Sequence, residues 1–111
     1  MGVIHSTATA TIASGQTVGA AFYVGAKVPV SLQMPAAFTG ATVSFQGSND
    51  GSTYQAINIG AAAYSETVTA SKNVALDSNI LAAFPYLKIV SASAEGADRS
   101  IIVHTRRPAG G

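Results

Sequence analysis

The chain predicts an all-β fold, an antiparallel β-sandwich or jelly-roll-like barrel of roughly seven to nine strands with one short helical turn. Three observations carry that prediction. Candidate strands recur roughly every 8–12 residues with turn residues between them. No long stretch shows the apolar period of an amphipathic helix. Finally, Ser44 to Ile57 reads as a hairpin, with Val43, Phe45, Tyr54, Ala56 and Ile57 flanking Asn49-Asp50-Gly51. Asp-Gly is a strong reversal signal because Gly takes positive φ without steric cost, so Asn49, Asp50 and Gly51 are assigned a structural role in the turn.

At 111 residues the chain has room for one core, so 1–111 reads as a single domain, with 1–6 and 106–111 as candidate flexible arms. Leu, Ile, Val and Phe together supply 26 residues, above the level of disordered chains, while 21 alanines keep the expected core modest. Charged residues make up only 10%, against roughly 25% in ordinary soluble domains. The surface must therefore consist of Ser, Thr, Ala, Gly and Asn. Few charges need to be stripped of water on contact, and a net charge of +1 gives little protection against association. The composition thus suits a protein that works inside an assembly, as a homo-oligomer; a merely solvated Ser/Thr-rich surface is the bland alternative.

The absence of Cys excludes disulfide and thiolate chemistry. Met1 to His5 lacks the basic and apolar regions of a secretory signal, and no apolar run approaches the roughly 20 residues that span a bilayer, so no membrane partner is expected. Ser6 satisfies a loose myristoylation pattern that is common by chance.

Taken in order, Thr7 to Ala13 alternates Thr7, Thr9 and Thr11 with Ala8, Ala10 and Ile12, the period of a half-buried strand. Val18 to Val24 follows the turn Ser14-Gly15-Gln16. Val28 to Met34 alternates, with Val28, Val30, Leu32 and Met34 inward; Pro29 cannot donate to a ladder, which suggests an edge strand or a strand start. Thr42–Gln46 and Thr53–Ile59 form the hairpin. Tyr64 to Ala70 has no strongly apolar face and reads as an exposed strand. Asp77-Ser78 caps a helical turn, Asn79 to Phe84, ended by Pro85. Tyr86 to Ser93 is apolar on both faces and reads as central, Ala94 to Asp98 as a hairpin loop, and Arg99 to Thr105 as the closing strand. The expected core is Phe45, Ile57, Phe84, Leu87, Ile89 and Ile102.

Sites for chemistry are few. His5 and His104 could meet if the terminal strands pair, but two ligands are too few for a usual zinc site. Asn49-Asp50-Gly51 lacks the spaced acids of a calcium loop. His104, Asp98 and the many serines form no nucleophile elbow, and no Gly-rich phosphate loop exists. Arg106-Arg107 without a basic face or aromatic platform is a weak phosphate signal, so no nucleic-acid partner is expected. Tyr23, Tyr54, Tyr64 and Tyr86 are the stacking candidates for a carbohydrate, weighed against by 7% aromatics and no Trp. The expectation is a protein that is no enzyme, holds no cofactor or metal, and takes no small-molecule ligand.

Ser44 to Tyr54, then Leu81 to Ile89 ending Phe84-Pro85-Tyr86-Leu87-Lys88-Ile89, then Arg99-Ser100-Ile101-Ile102-Val103 with a basic end, resembles small β-sandwich proteins of tailed-phage virion gene clusters. Ile12-Ala13-Ser14-Gly15-Gln16-Thr17 is similar to theirs as well. The resemblance covers most of the chain through structural motifs. It implies a virion protein, foremost a capsid decoration or cement protein on the capsid surface whose partner is the major capsid protein; a tail or head-fibre component would look alike. No catalytic residue carries over. The segments expected to make contact are Gly2 to Thr11, with Thr7, Thr9 and Thr11 on one face, and Arg106 to Gly111, led by Arg106 and Arg107.

Overall fold

The computed structural model describes residues 4–25 and 27–107. Within them the chain forms β1 (Ile4–Ile12), β2 (Phe22–Tyr23), β3 (Val28–Gln33), β4 (Thr42–Ser48), β5 (Gln55–Ala56) and β6 (Asn58–Ile59). It continues with β7 (Ala62–Ala63), β8 (Ser65–Thr67), β9 (Asn73–Ala75), α1 (Ser78–Leu81), β10 (Tyr86–Ser91) and β11 (Arg99–Arg107). Seven of these strands are three residues or longer, and every pairing between them is antiparallel. One sheet has the order β1-β11-β3-β9; the other runs β2-β10-β4, with β5 and β8 sharing the far edge of β4. β6 and β7 make a separate small hairpin.

The fold is the expected all-β one, and its layers follow from the alternation of side chains. Ala10, Ile12, Leu32, Ile101 and Val103 of the first sheet face Val43, Phe45, Leu87 and Ile89 of the second across one apolar core. Ile57 is buried beside them. At one end α1 places Leu81 in the core; its N-cap is Asp77, whose carboxylate accepts the Asn79 N–H at 3.1 Å. Phe84, half-buried, closes that end over Gly47, where a Cβ would lie 2.5 Å from the ring. Only Gly permits that approach.

Several expectations are corrected. β3 is an inner strand, and its pairing with β11 steps from His104↔Ser31 to Thr105↔Pro29, leaving Val30 as the extra residue of a bulge. The bulge resets the alternation, so Pro29 and Leu32 are both buried and the missing Pro29 N–H falls where the ladder is already irregular. Val18 to Val24 is interrupted: Val18 bridges Val90, the chain then leaves the sheet, and only Phe22–Tyr23 resumes pairing. The strand around β8 has an inner face after all. Tyr64 and Val68 are buried, and the Tyr64 ring stacks on Phe45 with centroids 5.5 Å apart. Ile102 points away from the core, which Ile101 and Val103 enter instead. Residues 92–98 are not a hairpin loop but an arch that carries the chain from one sheet to the other. The proposed arms are shorter than expected, because Ile4 to Ser6 pairs with Arg107 to Thr105 at the joined ends of β1 and β11. Residues 1–3 and 108–111 lie outside the described residues.

Candidate interaction surface

Strand register lines up side chains into rows across the outer face of the four-stranded sheet. Thr7, His104, Ser31 and Ala75 form one row; Thr9, Ile102, Gln33 and Asn73 form the next; Thr11 and Ser100 begin a third. Thr7, Thr9, Gln33, Asn73 and Ala75 are exposed, and Ile102 and His104 are half-buried among them. His104 Nε2 lies 3.2 Å from Gln33 Oε1, and the Thr11 and Ser100 hydroxyls are 3.3 Å apart. Apart from the imidazole, these rows carry no ionisable side chain. The face offers hydroxyl and amide groups around one Ile, which can make shape-dependent contacts at little desolvation cost. The three threonines singled out in the sequence are thus brought together on one surface. Exposed Arg106 continues the same face beyond His104, opposite His5; Arg107 ends β11 opposite Ile4.

The loop after β4 is wider than a two-residue turn, running from Asn49 to Tyr54 before β5 begins. Asp50 Oδ1 accepts from the Ser48 hydroxyl and from the Ser52 and Thr53 N–H groups at 2.8–2.9 Å, and Ser48 Oγ accepts the Gly51 N–H at 2.9 Å. The Thr53 and Ser52 N–H groups, with the Ser48 hydroxyl, hold the Asp50 carboxyl down at about 2. Gly51 has φ +78° and packs against Tyr86, which fixes the turn on the second sheet.

One feature was not found from the sequence, and a second gathers residues that were. Glu95 is 2% exposed in the arch. Its carboxylate accepts the Thr39 N–H (2.9 Å) and hydroxyl (2.8 Å), the Gly40 N–H (3.1 Å) and Arg99 Nε (3.0 Å). Burial pushes its pKa up, but the Thr39 N–H, Arg99 and the Thr39 hydroxyl outweigh it and hold the group below the usual glutamate range. A Glu four residues before Arg in a small-residue loop was the signal available. The second is an aromatic strip on the outer face of the other sheet, formed by three of the four tyrosines named as stacking candidates. Tyr23, 65% exposed, packs on Tyr86 with centroids 4.9 Å apart, and Lys88 Nζ lies 4.3 Å from the Tyr54 ring centre. Tyr64 is the exception: it is buried, donates to Glu66 at 2.6 Å and accepts the Asp77 N–H at 2.9 Å. Burial first, and then the Glu66 bond, push its phenol well above the usual range.

Asp98 and His104, the triad candidates, are kept apart, while the register sets His5 opposite Arg106, two positions along β11 from His104. Asp98 accepts the Ser14 N–H at 2.8 Å beyond the start of β11, six positions along the chain from His104, or about 20 Å in an extended strand. Among the described residues no three His, Cys, Asp or Glu side chains gather at one point, and no helix is long and apolar enough to cross a membrane.

No family model and no curated protein sequence matches the chain. Solved structures do. The SPBc2 prophage-derived protein YomS superposes with a TM-score of 0.57 at 14% identity, covering 93% of this chain and 95% of that one. A protein described under "Bacillus endospore appendages form a novel family of disulfide-linked pili" aligns with a TM-score of 0.47 at 12% identity, over 96% of this chain and 88% of that one. The first likeness establishes a shared fold across almost the whole of both chains.

Proposed function

We propose that this chain is a non-enzymatic structural protein of a tailed-phage virion, a decoration or cement protein that binds the major capsid protein on the head surface. The observation that carries the reading is the outer face of the four-stranded sheet, whose rows from Thr7 to Ala75 and from Thr9 to Asn73 hold no acid, Lys or Arg. Such a face suits many small contacts repeated over a symmetric lattice, where multiplicity turns weak single affinities into a large effect. The fold shared with a prophage-derived protein supports the phage assignment. Mass spectrometry of purified particles tests it: this chain should be present in a fixed ratio to the capsid protein. Its absence from particles, or presence at only a few copies on tails, would reject the decoration role.

The tyrosine strip favours a second reading, a carbohydrate-binding face on the β2-β10-β4 sheet. Three of the four tyrosines lie there with Lys88 and Gln46 beside them, the mix of flat rings and polar groups that sugars stack on. A glycan array with the wild type and Tyr23→Ala separates the two: saturable binding lost in the variant selects the sugar-binding role.

A further inference from the structure

The sandwich is closed along one side at one end and open at the other. Near Thr11, residues 17–20 cross from the edge of β10 to that of β1, with the Gly19 N–H donating to Ile89 O at 2.8 Å and the Ala20 N–H to Thr11 O at 2.9 Å. The second bond fixes the parity of β1. The backbone groups of Thr11, and so of Thr9 and Thr7, point away from β11. Among the described residues nothing pairs with the outward N–H and C=O of Thr7 and Thr9. The protections that edges usually carry are missing too: Ser6 to Ile12 contains no Pro and no charge, and pairing with β11 runs without a bulge.

Beside this edge, between the sheets, lies a cleft of about 400 Å³ walled by Ser6, Ala8, Tyr23, Val24 and Lys27. Lys27 Nζ donates to Ser6 Oγ at 2.9 Å. Glu95–Arg99 is the only ion pair among the described residues, and among them no carboxylate answers Lys27.

We propose that Ser6 to Thr9 is a strand-addition site, which takes an extended segment of a partner polypeptide carrying an inward-pointing acidic side chain. Main-chain bonds to Thr7 and Thr9 extend the four-stranded sheet, and alternate side chains of the added segment enter the cleft. One of them, across from Ser6, comes within reach of Lys27, and a carboxylate at that position supplies the missing countercharge. The identity of the partner as a neighbouring virion subunit rests on the function proposed above; the site itself does not.

The test uses the isolated full chain, labelled with ¹⁵N and titrated with two blocked heptapeptides, TVTETVT and TVTQTVT. Main-chain pairing carries the affinity, so a generic alternating sequence suffices. The Thr7 and Thr9 amide resonances are expected to shift and saturate, with the Glu peptide binding about two- to fivefold tighter. That preference should vanish in Lys27→Met. Thr9→Pro, which removes an outward N–H and leaves the β11 ladder intact, should abolish binding. Slower hydrogen exchange of the wild-type Thr7 and Thr9 amides at saturation gives the same answer without a variant. Shifts at another sheet edge, equal affinity for the two peptides, or no shift at millimolar peptide would overturn the proposal. So would concentration-dependent shifts at Thr7 and Thr9 without peptide, which would give the edge to a second copy of this chain. None of these results bears on whether the chain is found on particles, so the two claims fail separately.

Discussion

Glu95 is the residue on which the arch between the sheets depends. Four donors converge on one buried carboxylate, and removing it strands the buried Gly40 N–H and takes the partner from the part-buried Thr39 N–H. Glu95→Ala should therefore cost about 2 kcal/mol or more in denaturant unfolding, since an orphaned buried donor costs about 1–3 and the Thr39 and Arg99 bonds are lost with it. The pH dependence follows from the direction of the shift. A carboxylate held below its unfolded value contributes stability that is fully present above that value and is lost as pH falls through the folded one. Glu95 thus contributes above the ordinary 4.5 and ceases to do so on acidification; Asp50 loses its contribution between the ordinary 3.8 and about 2. Urea midpoints followed downward from about pH 6 should decline in the wild type. Glu95→Gln should start lower and fall less steeply, and Asp50→Asn should flatten the most acidic part. A Glu95→Gln curve parallel to the wild type would remove Glu95 from this account.

Elements were legible wherever their neighbours did not alter the alternation. β1 kept the Thr-out, Ala-in period of its sequence, and the Asp77 cap started α1 as expected because local chemistry alone decides both, whereas α1 ends at Leu81, short of the expected Phe84 and of Pro85. Three failures had one kind of cause. Ile101-Ile102-Val103 is apolar at every position, so its phase is set by pairing with β1 and not by its own pattern. In β3 a bulge at Val30 inverted half of a clean alternation. Tyr64 looked exposed because its partner Phe45 is distant in sequence. Glu95 was invisible for the same reason, since its role is defined by what lies across space; the edge of β1, by contrast, was readable from the Thr/Ala alternation of Gly2 to Thr11. The corrected phase of β11 makes a paired prediction. Ile101→Ala should cost about 2–5 kcal/mol as a buried truncation, whereas Ile102→Ala, on the outer face, should cost under about 1. Equal losses in thermal unfolding would restore the original phase. In the loop after β4, Gly51→Val should cost about 1 kcal/mol or more, since a β-branched residue at φ +78° is strained; an unchanged melting temperature would show that the loop relaxes freely.

At the scale of the molecule, the scarcity of charge becomes a division of labour between surfaces. The first sheet presents rows from Thr7 to Ala75 and from Thr9 to Asn73 without acid, Lys or Arg, with Arg106 beyond them, and an unguarded edge. The second presents tyrosines with Lys88, and the buried acid is spent on holding the arch. Binding through the first sheet should depend on shape and backbone pairing, so salt should matter little, in contrast to a protein held by phosphate contacts. The decisive measurement is the copy number of this chain on purified particles after washing at roughly 0.05 M and 1 M salt, for the wild type and for Ile102→Asp, which places a charge in the middle of the uncharged face. Retention of the wild type at both salt concentrations, with loss of Ile102→Asp at both, is the predicted result. Release of the wild type at high salt, or retention of Ile102→Asp at wild-type copy number, would contradict it.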